Sequence, residues 1–285
     1  MKEYIKIFFG AFIIELITSP LRAVDFGLCS IVTFILFFAF QYFMSYKNKD
    51  KIKAEYVLLV SLLGCSFLQV PLRLWVVSDT LITLPDYLFH LLGILMGYWF
   101  FKSKRNLRII IVLLSITSCT FLYFKGCDMW LHKYNHGTFT GYIQEKEMHF
   151  FQFVNERNDT ISKQIFLGKY VIFDFWNLYC GICFRKFPEV EKLYETITPY
   201  KDRIELYAVN LKYAEDSESY AFETIRERGY SFPVLQTMDR DMLQTVFGVD
   251  GYPTVVILNP NGNLIFRGNI ENATRFVKKE ITSGL

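Results

Sequence analysis

The feature that most limits the possible folds of this chain is a series of long apolar runs in residues 1–125. A helix needs about 20 mostly apolar residues to cross a bilayer. Four stretches meet that length, at about residues 26–46, 54–77, 84–101 and 107–124. A fifth, at about residues 4–21, is weaker because Lys6 and Glu15 interrupt it. It is also consistent with a cleavable signal peptide, although no clear small-residue cleavage site follows it. We therefore expect about five helices that span a lipid bilayer.

The charge of the loops predicts the orientation of these helices, because cytoplasmic loops carry an excess of Lys and Arg. The loops after the second and fourth spans are basic and hold Lys47, Lys49, Lys51, Lys53, Lys102, Lys104, Arg105 and Arg108. Near the loop after the third span, only Arg73 is basic, and Asp79 and Asp86 are acidic. The sequence therefore predicts a multi-pass protein of the cytoplasmic membrane whose C-terminal half is extracytoplasmic. In a Gram-negative cell, this half would face the periplasm from the inner membrane.

The second half of the chain has the pattern of a water-soluble protein. Hydrophobic residues make up 52% of the chain and are concentrated in the first half, whereas charges, turns and short β-rich segments dominate from about residue 140. This change predicts a membrane domain at 1–125, a connector at 126–147 and a soluble domain at 148–285. The net charge of +3 gives no reason to expect nucleic-acid binding.

The soluble half alternates between strand and helix patterns. Residues 169–175 form a continuous apolar run that is typical of a buried central strand, and a helical spacing runs from Cys180 to about Thr198. Further strands are predicted at about 150–154, 204–210, 234–236, 254–258 and 264–266, and further helices at about 217–228, 240–247 and 271–281. This alternation indicates an α/β layer fold.

Cys180 and Cys183 are the only two of the six cysteines that form a C-x-x-C motif. They follow a predicted strand and open a predicted helix, where the first thiol would lie over unpaired backbone N–H groups and the positive end of the helix dipole. This environment favours the thiolate. The alternatives are a zinc half-site and a structural disulfide, but this half of the sequence offers no second C-x-x-C or close His pair for zinc. The motif therefore predicts a redox-active pair that needs no metal or cofactor.

Two longer segments resemble the thioredoxin family. Residues 173–183, Phe-Asp-Phe-Trp-Asn-Leu-Tyr-Cys-Gly-Ile-Cys, resemble its active-site segment, and residues 247–254, Phe-Gly-Val-Asp-Gly-Tyr-Pro-Thr, resemble its cis-proline loop. The added helix and strand before that loop, and the Asn-Pro-Asn-Gly hairpin after it, are similar to the TlpA/ResA-like branch of membrane-tethered thioredoxins. The resemblance covers about residues 148–285. It departs at Ile182, where proline is usual, and at Tyr179, where tryptophan is usual.

The resemblance implies a role for each of four residues. Cys180 would be the nucleophile that attacks a partner disulfide, and Cys183 the resolving thiol. Asp174 would have a raised pKa and accept the proton of Cys183; the alternative is a solvated carboxylate at a strand end. Pro253 would follow a cis peptide bond and leave the backbone of Tyr252 free to pair with a substrate chain; the alternative is an ordinary trans proline in a turn.

Together these patterns predict extracytoplasmic thiol–disulfide exchange with the thiols and disulfides of partner proteins. Reduction is favoured slightly over oxidation, because the TlpA/ResA-like branch is mostly reducing. The alternative is a non-catalytic thioredoxin-fold module that binds or senses partners on a transport-like bundle. Two further ideas have weaker support. One is an electron relay through two of Cys29, Cys65, Cys119 and Cys127; the other is a metal site at Asp128, His132 and His136, in what we expect to be a polar connector.

Overall fold

The computed structural model of the protein describes residues 1–281. The chain forms two compact units, Met1–Leu131 and His132–Leu285. The first unit is helical, and the second is built around a β-sheet.

The long apolar runs form helices. The α-helices up to the start of the sheet are α1 Lys2–Thr18, α2 Phe26–Lys47, α3 Ala54–Trp75, α4 Val77–Thr80, α5 Leu84–Lys102, α6 Arg105–Phe121 and α7 Cys127–His136. A short 3-10 segment at Ser19–Ala23 extends α1, and another at Leu81–Thr83 precedes α5. A π-helical segment at Leu122–Gly126 joins α6 to α7. Five helical stretches in the described part of the chain are long and apolar enough to cross a membrane, so the expectation of five long apolar helices is confirmed.

Glycines allow close packing between the helices of the first unit. A Cβ atom at Gly93 would lie 2.6 Å from the Phe34 carbonyl oxygen, and one at Gly97 would lie 2.5 Å from the Phe38 carbonyl oxygen. Only glycine fits at such contacts. Gly93 and Gly97 are four residues apart on α5, the small-residue spacing that lets two helix backbones approach closely. This packing brings α5 against α2 and buries Asp86 in the first turn of α5.

The second unit contains one mixed eight-stranded sheet in the order β1-β8-β7-β4-β5-β6-β2-β3. The strands are β1 Tyr142–Lys146, β2 Gln152–Val154, β3 Thr160–Ser162, β4 Tyr170–Trp176, β5 Ile204–Leu211, β6 Val234–Thr237, β7 Thr254–Leu258 and β8 Leu264–Gly268. Strands β4, β5 and β6 are parallel, and the remaining neighbours pair antiparallel. The α-helices of this unit are α8 Gly181–Ile197, α9 Tyr220–Glu227, α10 Arg240–Met242 and α11 Ile270–Phe276, and π-helical segments at Leu243–Phe247 and Val277–Ile281 follow the last two. The predicted α/β fold is confirmed.

Strand β4 separates two hydrophobic cores. Its side chains alternate between the faces of the sheet: Ile172 and Trp176 pack in the core that contains α8, and Phe173 and Phe175 pack in an aromatic core around Phe247. The side chains of β4 from Val171 to Trp176 are all buried. Such a strand is a rigid support for residues at its carboxyl end.

The segment between the last apolar run and the soluble domain is more ordered than the sequence indicates. Helix α7 continues to His136, and strand β1 pairs antiparallel with β8, although the pattern of residues 126–147 predicts neither element. His132 and His136 are 4% and 9% exposed, rather than solvated as in a polar connector. Both histidines belong to the second unit, and their burial follows from contacts within it, where the His132 ring packs closely against Gly268.

Candidate active site

The two cysteines lie where β4 runs into α8. The strand ends at Trp176, and the following turn is held by the Asn177 side-chain oxygen, which accepts a hydrogen bond of 2.9 Å from the backbone N–H of Tyr179. Cys180 is the N-cap residue of α8, and its Sγ accepts a hydrogen bond of 3.1 Å from the backbone N–H of Cys183. The Sγ atoms of Cys180 and Cys183 form a disulfide bond, with 5.3 Å between the Cα atoms.

The two sulfur atoms differ in their access to solvent. Cys183 is 1% exposed and packs among the side chains of the α8 core. Cys180 is half-buried, and the side chains on either side of it, Tyr179 and Ile182, are 65% and 52% exposed. An incoming thiolate or disulfide of another protein can therefore reach Cys180 and not Cys183.

The start of α8 favours negative charge at Cys180. The first N–H groups of a helix have no intrahelical acceptor, and the helix dipole is positive at this end. The first turn of α8 contains no acidic side chain, so nothing there opposes a thiolate. Both effects stabilise the ionised form of Cys180 over the protonated form when the disulfide is open.

Asp174 lies in the middle of the sheet, between Ala208 of β5 and Val255 of β7. It is 2% exposed, which excludes the alternative of a solvated strand-end carboxylate. Its Oδ1 atom has no hydrogen-bond partner among the described residues. Burial without a partner disfavours the charged carboxylate and raises the pKa of Asp174 to about 8. Because Asp174 is two residues from both Ile172 and Trp176, its side chain lies on the same face of β4 as theirs. That face is the α8 side of the sheet, where Cys183 is buried.

The loop before β7 completes the site. The peptide bond between Tyr252 and Pro253 is cis, as the resemblance to the thioredoxin family implies, and not the trans bond of an ordinary turn proline. Tyr252 and Cys180 line the same cleft, which has a volume of about 540 Å³. The structure thus brings the proline loop and the cysteine pair together at the same end of the neighbouring strands β4 and β7.

The wall of the cleft contains residues that the sequence pattern does not indicate. The cleft is lined by Asn177, Tyr179, Cys180, Gly181, Ile182, Tyr213, Glu215 and Tyr252. The Tyr179 hydroxyl donates a hydrogen bond of 2.9 Å to Asp216 Oδ1, and the Tyr179 and Tyr213 rings lie 5.7 Å apart. Tyr213, Glu215 and Asp216 belong to the loop after β5, where no periodicity or motif marks them in the sequence. The only sequence feature that points to this part of the cleft is Tyr179, which stands where the resemblance leads one to expect tryptophan.

A comparison with family models agrees with this geometry. A model described as thioredoxin-like matches residues 168–264, which include the C-x-x-C motif and the proline loop. The C-terminal half of the chain contains a thioredoxin-like domain. The match includes β4, α8 and β7, the three elements that carry or support the site.

Curated relatives of this domain are named as thiol-disulfide oxidoreductases or as thioredoxin-like proteins. "Thiol-disulfide oxidoreductase ResA" of Halalkalibacterium halodurans is 31% identical over 99 residues, which are 34% of this chain and 52% of the relative. "Thiol-disulfide oxidoreductase ResA" of Bacillus subtilis is 30% identical over 111 residues, 38% of this chain and 59% of the relative. "Thioredoxin-like protein YneN" of the same organism is 33% identical over 95 residues, 33% of this chain and 53% of the relative. The chain thus spans about half the length of these relatives.

Solved structures are similar to the same half of the chain. The exposed lipoprotein thioredoxin Etrx1 of Streptococcus pneumoniae has a TM-score of 0.39 and 21% identity, over 46% of this chain and 99% of its own. A thiol:disulfide interchange protein DsbE of Chlorobium tepidum has a TM-score of 0.42 and 19% identity, over 50% of this chain and 97% of its own.

Proposed function

We propose that the thioredoxin-like domain exchanges disulfides with partner proteins through Cys180 and Cys183. The observation that carries this proposal is the asymmetry of the pair: two bonded sulfur atoms at a helix N-terminus, of which one faces a cleft and the other is buried. A structural disulfide has no need of an open cleft beside one sulfur. The names of the relatives support the same activity.

In the reducing direction, the Cys180 thiolate attacks one sulfur of a partner disulfide. The partner's S–S bond breaks, a new S–S bond joins Cys180 to the partner, and the partner's other sulfur leaves as a thiolate that takes up a proton. The Cys183 thiol then loses its proton and attacks the Cys180 sulfur. The bond to the partner breaks, the partner's second sulfur leaves as a thiolate that takes up a proton, and the Cys180–Cys183 disulfide forms. Two electrons pass from the cysteine pair to the partner, and the reverse sequence oxidises a partner dithiol.

We propose that Asp174 accepts the proton of Cys183 in the resolving step. A buried thiol ionises poorly without a nearby base. Asp174 has a pKa of about 8 and lies on the α8 side of β4, so near neutral pH it can both take up and release a proton. Pro253 and Tyr252 belong to the wall of the cleft, where we propose that the substrate chain binds as an extended segment.

We further propose that the apolar helices anchor the domain in the cytoplasmic membrane and that the domain is extracytoplasmic. Support comes from the two basic loops, which are retained on the cytoplasmic side in the arrangement that the charge rule favours. Disulfide exchange suits such a compartment, because structural disulfides form and persist outside the cytosol. Among the two directions, we favour reduction slightly, by resemblance to the TlpA/ResA-like branch.

A disulfide-reductase assay on residues 132–285 tests the activity. With dithiothreitol as electron source, the wild-type domain should accelerate the reduction of insulin disulfides, and Cys180→Ser should bring the rate down to that of dithiothreitol alone. The matched control is Thr196→Ser, a conservative change of an exposed side chain on the same helix. A folded wild-type domain with no activity would favour the alternative, a non-catalytic module that binds or senses partners.

A further inference from the structure

The first unit buries a group of ionisable side chains far from the cysteine motif in sequence. Glu15 of α1 is 3% exposed, and Asp86 and His90 of α5 are 0% exposed. Each lies in a helical stretch that is apolar enough to cross a membrane. Ionisable side chains in such helices are costly and commonly mark functional sites. The proposed disulfide exchange uses none of them.

We propose that Glu15, Cys65 and His90 form a binding site for a zinc ion. Glu15 Oε2 lies 2.7 Å from His90 Nδ1 and 3.9 Å from Cys65 Sγ, and the three donor atoms all lie within 4.8 Å of one another. Donor atoms around tetrahedral zinc are separated by about 3.3–3.6 Å, as follows from metal–ligand distances of about 2.0–2.3 Å. The carboxylate and imidazole must therefore separate by roughly 0.6 Å, and the sulfur must move slightly closer to the carboxylate oxygen.

The surroundings of His90 match those of a metal ligand. Its Nε2 atom lies 3.1 Å from Asp86 Oδ1, on the side of the ring opposite to Glu15 and Cys65. A metal-binding histidine commonly donates its other N–H to a carboxylate, which fixes the ring and raises its basicity. Asp86 is itself held in place by Arg22 Nε at 2.5 Å and by the Ser30 hydroxyl at 2.7 Å.

Glu15 is oriented in the same way. Its Oε1 atom accepts hydrogen bonds from Arg22 Nη2, at 2.9 Å, and from the Gln69 side-chain amide. These donors fix one carboxylate oxygen and leave Oε2 directed at His90 and Cys65. The guanidinium of Arg22 thus lies on the outer oxygens of Glu15 and Asp86 and does not occupy the space among the three donor atoms.

The combination of one oxygen, one nitrogen and one sulfur donor favours zinc over other metal ions. Magnesium and calcium prefer oxygen ligands alone, and copper(I) prefers sulfur and nitrogen over a carboxylate. Zinc accepts sulfur, nitrogen and oxygen together, and three protein ligands leave a fourth position for water or a substrate atom. The charges also match: Arg22 offsets Asp86, while the Glu15 carboxylate and a Cys65 thiolate offset the two charges of the ion.

The sequence alone predicts no such site. The three donor residues come from three different helices, with Cys65 50 positions and His90 75 positions after Glu15. They form no short motif, and only the packing of α1 and α5 with α3 assembles them.

The test uses the full chain, purified in lipid nanodiscs with a histidine-free affinity tag. The chain carries Cys180→Ser and Cys183→Ser, so that the active-site thiols cannot bind metal. After incubation with zinc and removal of the excess, elemental analysis should find about one zinc ion per chain. Loading with cobalt instead should give the charge-transfer absorption of a cobalt–thiolate bond. Zinc and cobalt are added as simple salts, with no other ligand.

Two variants test the ligands, and a third is their control. Cys65→Ser should abolish the cobalt–thiolate absorption, and His90→Gln should lower the bound zinc to below about 0.2 ions per chain. The matched control is Cys29→Ser, which changes another buried thiol of the same bundle, one that donates to the Thr18 carbonyl oxygen at 3.3 Å; it should keep both signals. A folded parent chain that takes up neither ion would overturn the proposal. So would a Cys65→Ser chain that keeps the cobalt–thiolate absorption. If Cys65→Ser fails to fold, Cys65→Ala takes its place and should likewise lack the cobalt–thiolate absorption. A parent chain without that absorption would overturn the proposal in either case.

Discussion

We expect the burial of Asp174 to make the stability of the domain depend on pH. Its pKa is about 8 in the folded domain, against an ordinary value of 3.8 for an aspartate. A carboxyl group whose pKa is raised on folding contributes its full stability below the ordinary value. It loses that stability as the pH rises through the folded value. We therefore expect the domain to lose stability between about pH 4 and pH 8, by up to about 1.4 kcal/mol for each pH unit in that window.

The change to test is Asp174→Asn, which removes the ionisable group and keeps the shape of the side chain. In the oxidised domain neither cysteine of the pair titrates, so a difference between variant and wild type reports Asp174 alone. From pH 5 to pH 7.5, the wild type should lose about 3 kcal/mol more than Asp174→Asn. For a domain of this size that corresponds to a difference in Tm of roughly 6–12 °C.

Thermal and urea unfolding of oxidised residues 132–285 at several pH values measure this difference. Asp202→Asn serves as the matched control, because it removes a carboxylate from an exposed loop position. The control should retain the slope of the wild type. Identical slopes for wild type and Asp174→Asn would refute the conclusion that Asp174 is buried and protonated near neutral pH.

Two further outcomes follow from the site and from the loops. The turnover rate of Asp174→Asn should be about 100-fold below that of the wild type at pH 7, at the lower end of the range for a lost general base. The difference between the two rates should shrink above pH 8. There Asp174 of the wild type is already deprotonated, and Cys183 ionises without its help. Equal rates at pH 7 would remove Asp174 from the mechanism. For orientation, an alkaline phosphatase fusion after Gly141 should be active and one after Asp50 inactive, whereas the reverse pattern would contradict an extracytoplasmic domain.

Local sequence patterns predict those parts of the site that neighbouring residues determine. The apolar run at 169–175 indicates a buried strand, and the burial of Asp174 follows directly from its place in that run. The C-x-x-C spacing places Cys180 and Cys183 at the start of a helix, where the structure has them. Each of these inferences needs only the period of a strand or the first turn of a helix.

The parts that sequence patterns miss depend on contacts between distant segments. Strand β1 has a weak pattern, with four of its five residues exposed, and it becomes a strand by pairing with β8 more than a hundred positions later. Tyr213 and Asp216 lie in a loop that reaches the cleft only because β5 runs beside β4. Glu15 and His90 appear in the sequence as single ionisable residues in apolar runs, and only helix packing places them 2.7 Å apart.

The most direct test of the central claim is covalent trapping of partners by the full chain in its native membranes. Cys180 is accessible and Cys183 is buried, so Cys183→Ser should leave Cys180 joined to partner proteins. These complexes should run as high-mass species that dithiothreitol releases, and Cys180→Ser should form none at equal expression. Trapping by Cys180→Ser and not by Cys183→Ser would invert the two roles. Two folded variants that trap nothing would contradict disulfide exchange as the function of this domain.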